Sequence, residues 1–112
     1  MDLRHMAEQY GKNKALAMAL WQEDIRECKI LATLIMPTDD FTASEAMEWA
    51  ATLLTVEIAE MVVFNLFQHM NEAEKLSLML FENDDKLVRI CAYNLVCRLL
   101  KRNNECAPQL YA

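Results

Sequence analysis

The fold can be predicted from residues 42–74, which read TASEAMEWAATLLTVEIAEMVVFNLFQHMNEAE. TASE at 42–45 and NEAE at 71–74 fit the capping box, in which a side chain at the start of a helix and a Glu three residues later each accept a hydrogen bond from a free backbone N–H. Between them, Thr55 fits a simple N-terminal cap. The stretch therefore predicts two complete helices, over 43–53 and 56–70, and the start of a third.

The same signals extend in both directions along the chain. DIRE at 24–27 is a close variant of the capping box, and Asp84 is a further cap. Gly11, Pro37 and the Asn103-Asn104 pair are expected to end helices. Together these signals predict seven helices, at 2–10, 13–21, 25–36, 43–53, 56–70, 72–82 and 85–102.

The predicted helix starts are regularly spaced. The second, fourth and sixth helices start 30 and 29 residues apart, and the third, fifth and seventh start 31 and 29 residues apart. A period near 30 with two helices per period is typical of an α-solenoid. We therefore predict an all-α fold of about three antiparallel helix pairs, and an irregular helical bundle is the alternative. The pairs are 13–21 with 25–36, 43–53 with 56–70, and 72–82 with 85–102.

The composition agrees with a single helical domain over 1–112, in which 103–112 form a C-terminal tail. One Gly and two Pro in 112 residues are too few for the turns of an all-β protein. Apolar residues make up 54% of the chain, yet no apolar run approaches the ~18 residues of a membrane-spanning helix. No signal peptide follows Met1, so we expect a cytoplasmic protein with reduced thiols and no membrane association.

Residue types that carry chemistry are sparse. Four cysteines, at 28, 91, 97 and 106, have no C-x-x-C spacing, and with only two histidines besides they predict no metal site. A single Gly cannot build a phosphate-binding or dinucleotide-binding loop, so no cofactor is predicted. Trp21 and Trp49 lie late in predicted helices, where a core position is more usual than a base-stacking one.

Charge is unevenly distributed along this acidic chain, whose net charge is −6. Residues 30–74 contain eight acids and no Lys or Arg, while five of the eleven basic residues lie in the last predicted helix. Because nucleic-acid binding depends on clustered Lys and Arg, we expect DNA contact to be weak and to use that helix. An ordinary solvated helix face is the alternative interpretation. The candidate residues are Lys86, Arg89, Lys101 and Arg102.

A longer pattern begins in the second predicted helix and extends along the chain. LAMALW at 16–21 and IRECKILA at 25–32 are followed by Trp49 and then by LVRICA at 87–92. This pattern resembles the DNA alkylation repair enzyme family over nearly the whole chain, although the chain is only about half of a typical family domain. The resemblance implies a HEAT-like α-solenoid. Characterised members are DNA glycosylases that excise cationic alkylated purines.

The family's catalytic segment reads roughly W-D-x-x-D, and VEIAE at 56–60 matches it. In the family the Trp contacts the lesion, and the second Asp stabilises the positive charge that develops on the deoxyribose. The resemblance makes Glu60 the candidate catalytic residue, with a stem one carbon longer than that of Asp, whereas Val56 cannot stack on a base. The family's Arg pair is reduced to Arg89 followed by Ile90.

These departures favour a non-catalytic interaction module whose partner is a protein or is of unknown kind. The alternatives are a repair protein that binds or excises alkylated purines, and an unrelated helical domain. Because solenoid repeats bury their apolar faces only against neighbours, we also expect a homodimer through the apolar ends of the array.

Overall fold

The computed structural model describes the backbone of residues 3–106 and the side chains up to Arg102. No β-strand occurs in this part of the chain, so the predicted all-α fold is confirmed. Two short 3₁₀ turns lie in the connections after the third and fifth helices, at Thr38–Asp40 and Phe67–His69. The seven helices are α1 (Leu3–Tyr10), α2 (Lys14–Trp21), α3 (Arg26–Ile35), α4 (Ala43–Ala50), α5 (Val56–Asn65), α6 (Ala73–Phe81) and α7 (Lys86–Cys106).

Two of the predicted caps in the middle of the chain are confirmed. Thr42 and Glu45 form the reciprocal capping box of α4, in which each side chain accepts a backbone N–H of the other. At the start of α5, Thr55 Oγ1 accepts a hydrogen bond from Ile58 N at 3.2 Å. These bonds satisfy N–H groups that a helix start otherwise leaves unpaired.

The other three predicted caps are wrong, because each helix begins one residue later than expected. The cap positions of α3 and α6 are Ile25 and Glu72, and neither makes a side-chain capping bond. At the start of α7, the capping oxygen belongs to Asp85 rather than to Asp84. Asp85 Oδ1 accepts from the backbone N–H of Leu87 at 2.9 Å.

The predicted helix ends are partly correct. Gly11 ends α1 with φ +67°, a left-handed conformation that glycine adopts without a Cβ clash. The predicted helix 56–70 ends earlier, at Asn65, and a 3₁₀ turn follows it. The predicted stop at Asn103-Asn104 is wrong because α7 continues to Cys106, asparagine being only mildly unfavourable inside a helix. The rest of the predicted tail, 107–112, lies outside the described residues.

Neighbouring helices pack in a regular order. α1, α3, α5 and α7 follow one another side by side, and α2–α3 and α6–α7 are closely packed pairs, as predicted. The middle pair departs from the prediction, because α4 packs more extensively against α6 and α7 than against α5. A hydrogen bond of 2.7 Å from Ala43 N to Glu72 Oε1 contributes to this arrangement, since it joins the starts of α4 and α6.

Polar contacts between helices repeat at the predicted interval. Hydrogen bonds join residues that are 29 to 32 positions apart in sequence, which matches the spacing of the helix starts. Equivalent positions of successive helix pairs therefore lie side by side. This register supports a repeating stack, and its HEAT-like form stays a prediction. The contacts are Lys14–Glu45, Trp21–Thr52, Arg26–Glu57, Ala43–Glu72, Thr33–Asn65 and Ala59–Cys91.

Two stacked indoles lie in the core, where the sequence predicts them. The ring centroids of Trp21 and Trp49 are 4.3 Å apart with planes 6° from parallel, and Phe41 meets Trp49 edge-on at 4.9 Å. Both tryptophans are buried. Trp21 Nε1 donates to Thr52 Oγ1 at 2.7 Å, which fixes the indole against the connection that follows α4.

Large apolar side chains remain exposed on the outer faces of α6 and α7. Leu78, Tyr93 and Leu100 are each more than half exposed. The homodimer expected from the sequence would cover such a face, and it stays a prediction. No helix among the described residues is long and apolar enough to cross a membrane.

Candidate nucleic-acid interface

Two residues that match the family's catalytic segment lie one turn apart on the exposed side of α5. Val56 is 46% exposed, and Glu60 is also exposed. Because water of high dielectric constant surrounds an exposed carboxylate, its attraction for a developing positive charge is several-fold weaker than in a closed site. The candidate catalytic carboxylate therefore has neither an adjoining aromatic side chain at position 56 nor a dry environment.

The other carboxylate on this side of α5 is already engaged. Glu57 accepts two parallel hydrogen bonds from Arg26, with Nε–Oε1 at 2.5 Å and Nη2–Oε2 at 2.8 Å. These hydrogen bonds, and the guanidinium charge, lower the pKa of Glu57. Arg26 also contacts Glu27 Oε2 at 3.1 Å. Glu57 is thus part of an ion-pair group on the α3 side, in which one guanidinium partly compensates two carboxylates.

Two of the cations predicted to contact DNA lie on the outer side of α7. Cys91 Sγ is 3.6 Å from the carbonyl oxygen of Ala59, so Cys91 marks the side of α7 that faces α5. At ~100° per residue, Lys86 and Arg89 point to the opposite side. Both are exposed. They are therefore turned away from the α5 surface that carries Glu60.

The remaining basic residues of α7 are divided. Lys101 is exposed, whereas Arg102 reaches back to the end of α5, where its guanidinium donates a hydrogen bond to the carbonyl oxygen of Gln68. Arg98 lies over the ring of Phe64, with its Cζ 4.7 Å from the ring centroid. The four predicted DNA-contacting residues thus do not form one surface, and only Arg102 lies near the α5 side.

A groove between α1, α3 and the end of α5 brings together basic and polar residues that are far apart in sequence. Its volume is about 580 Å³, and no carboxylate lines it. We call it the His69 groove. It is lined by Arg4, Lys12, Leu34, Thr38, Phe64, Asn65, Gln68 and His69.

The electrostatics of the His69 groove are positive. Partial burial of the imidazole, followed by the charges of Arg102 and Lys12, lowers the pKa of His69 below its usual 6.5. Lys12 is held at the wall, because its Nζ donates to the carbonyl oxygen of Leu34 at 3.0 Å. Cations close enough to disfavour a charged histidine are also close enough to attract an anion into the groove.

None of the groove residues is among the candidates predicted from the sequence. They come from α1, the α1–α2 connection, the end of α3 with the turn after it, and the end of α5, which only the folded chain brings together. The one feature of the sequence that indicates this groove is Phe64. It is an apolar residue that lies on the same exposed side of α5 as Glu57 and Glu60, at helical spacing from them. Its ring is 42% exposed.

The described part of the chain contains no group of three His, Cys, Asp or Glu side chains placed to hold a metal ion. Cys28, Cys91 and Cys97 are free thiols. Burial raises the pKa of Cys91 to about 12, so this thiol is protonated at neutral pH and is a poor nucleophile. The fourth cysteine, Cys106, has no described side chain.

Comparison with known proteins found one match. A family model described as DNA alkylation repair enzyme matches residues 1–110, which is nearly the whole chain. No curated protein and no solved structure matches the chain.

Proposed function

The chain belongs to the DNA alkylation repair enzyme family, and on that premise we propose that it is a HEAT-like DNA-contacting module that does not excise alkylated bases. The family match supports a role on DNA. The exposed pair of Val56 and Glu60 argues against excision and is the observation that carries the proposal.

Excision requires that charge on the sugar be stabilised more strongly in the transition state than in the ground state. Removing one main electrostatic interaction from an active site typically costs about 3 kcal/mol, or roughly a hundredfold in rate. Here the carboxylate is longer by one carbon and exposed to water, and no aromatic ring at position 56 holds a base against it. Together, these losses are expected to reduce excision to the background rate.

DNA contact in this proposal uses the His69 groove and the neighbouring Arg98 and Arg102, rather than the outer side of α7. Lys12 and His69 lie in a groove without carboxylates, whereas Lys86 and Arg89 project from the opposite side of α7. Because the cations are few and the chain is acidic overall, we expect weak binding that salt readily reverses.

Excision of alkylated purines is the second candidate function, and one observation favours it. Arg26 partly neutralises Glu57, so the carboxylate of Glu60, one turn away, is less strongly opposed by its negative neighbour. An ionised Glu60 is the form that would stabilise a positively charged sugar.

The proposed DNA contact is tested by fluorescence anisotropy with methylated and unmethylated duplexes of the same sequence. We expect weak binding at low salt, equal for the two duplexes, with the logarithm of affinity falling linearly as the logarithm of salt concentration rises. The Lys86→Gln variant serves as the control for a cation outside the proposed surface and should bind as wild type does. A chain that binds neither duplex even at low salt would contradict the proposal.

A further inference from the structure

We propose that the His69 groove binds one unpaired nucleotide of a DNA strand, with the base against Phe64 and the phosphate beside Lys12 and His69. The inference rests on the proposed DNA contact and adds that this surface binds a single strand more tightly than a duplex. It uses Phe64, two turns beyond Val56 on α5, and residues outside α5, so it does not depend on excision at Glu60.

The aromatic ring supplies the platform for the base. Phe64 is one turn beyond Glu60 and exposes 42% of its surface, a large fraction for a phenylalanine. Arg98 lies over the ring at 4.7 Å but is not part of the groove lining. Arg98 covers part of the ring, and because Phe64 also lines the groove, we place the base against the part that Arg98 does not cover. Base stacking on an aromatic side chain tolerates any base.

Lys12 supplies the charge for a phosphate. Lys12 Nζ uses one of its hydrogens on Leu34 O, and the ammonium has two more to donate. His69 lies close enough to Lys12 and Arg102 that both lower its pKa. Since no carboxylate lines the groove, an anion placed there meets attraction without a competing negative charge.

Two amide side chains that line the groove are held in place by hydrogen bonds before a ligand binds. Asn65 Nδ2 donates to Thr33 Oγ1 at 3.0 Å, and Gln68 Nε2 donates to Phe64 O at 2.8 Å. A site whose polar side chains are already held loses little conformational entropy on binding. Phe64, the two amide side chains and Lys12 all line the same groove, so an aromatic ring, amide groups and a cation are available there to a base, a sugar and a phosphate.

The size of the groove selects an unpaired nucleotide over a duplex. A volume of about 580 Å³ lies within the range of small-ligand sites, so one nucleotide can enter it. A base in a duplex is stacked and paired on both sides, and reaching Phe64 would require unstacking that costs a few kcal/mol. Single strands avoid this cost.

The test compares the anisotropy of a labelled single-stranded thymidine oligonucleotide of about 20 residues with that of a duplex of equal length. We expect wild type to bind the single strand more tightly. Phe64→Leu should weaken single-strand binding by about 5- to 100-fold while leaving duplex binding unchanged, and Phe64→Trp should preserve it. Tyr93→Leu is the matched control, because Tyr93 is an exposed aromatic residue on the outer face of α7. Circular dichroism and thermal unfolding confirm that each variant is folded.

A second variant tests the phosphate end of the same groove. Lys12→Gln is expected to lower the salt dependence of single-strand binding by about 0.7 in the slope of log affinity against log salt, the change for one lost phosphate contact. Lys86→Gln, on the outer side of α7, should leave the slope unchanged.

The outcomes separate this inference from the proposed function. Equal affinity for single strand and duplex, with no effect of Phe64→Leu, would overturn the nucleotide site and leave the DNA contact standing. Absence of binding to both would overturn the two together. Weakened single-strand binding in Phe64→Trp as severe as in Phe64→Leu would also overturn the base-stacking role, since tryptophan is the better stacking residue.

Discussion

Replacing Trp49 with alanine is expected to lower the free energy of unfolding by about 3–5 kcal/mol. Trp49 is 2% exposed, stacks on Trp21 at 4.3 Å and receives the ring of Phe41 edge-on at 4.9 Å. Alanine would remove one of the two largest side chains of this group and leave a cavity in the core. Urea denaturation, followed by circular dichroism, measures the loss. Tyr93→Ala, at an exposed aromatic position, is the control and should cost much less.

Replacing each tryptophan of the stacked pair with phenylalanine separates the contribution of packing to stability from that of hydrogen bonding. Trp21 Nε1 donates to Thr52 Oγ1 at 2.7 Å, whereas Trp49 Nε1 is buried without a hydrogen-bond partner among the described residues. Trp21→Phe therefore loses a hydrogen bond and leaves Thr52 without its donor, which adds about 1 kcal/mol to the lost packing. Trp49→Phe removes an unpaired polar group. A Trp49→Phe variant less stable than Trp21→Phe would contradict this account.

Replacing Lys29 with alanine is expected to cost about 2–4 kcal/mol. The side chain is 1% exposed, its Nζ donates to Trp21 O at 2.7 Å, and the ammonium lies 4.3 Å from the centroid of the Trp21 ring. Lys29 thus donates a hydrogen bond to the last carbonyl oxygen of α2. The carbonyl groups at the end of a helix have no partner within the helix. Lys29→Met keeps most of the stem volume and removes a buried charge, so it should cost less than alanine. Lys75→Met, at an exposed site on α6, is the control.

Lys29 also predicts a pH dependence of stability. Burial lowers its pKa below the usual 10.5, an effect that Asp24 partly opposes. Between the folded-state pKa and 10.5, the unfolded chain therefore holds a proton that the folded chain has released. Lys29 therefore contributes a rise in the free energy of unfolding with pH across that interval, whereas Cys91, whose pKa burial raises, contributes a fall. Because the Cys91 contribution is common to both proteins, urea denaturation at several alkaline pH values should give a more positive slope of stability against pH in wild type than in Lys29→Met; equal slopes would contradict the prediction.

The helices could be predicted from the sequence because their signals are local. Thr42, Glu45 and Thr55 cap the helices they precede, and Gly11 ends α1, through bonds and dihedral angles within four residues. The predicted capping box of α6 is wrong, and there the side chain of Glu72 makes a contact that is distant in sequence. The side chain of Glu72 bonds to Ala43 of another helix rather than to its own.

The candidate site could be predicted only in part. Glu60 was found through a family pattern, and the structure places it on an exposed surface. The Arg26–Glu57 pair and the His69 groove join residues separated by an interval of about one repeat or more, and a period alone does not say which side chains meet across it. The basic residues of α7 looked like one cluster because they are close in sequence, but helix geometry divides them between opposite sides.

Release of free bases from methylated DNA tests the central claim most directly. Wild type and Glu60→Gln are incubated with DNA that carries 7-methylguanine and 3-methyladenine, and the freed bases are quantified by chromatography. We predict background release by both proteins, under conditions in which wild type binds the DNA. Release by wild type that is lost in Glu60→Gln would contradict the proposed non-excising module and establish excision at Glu60.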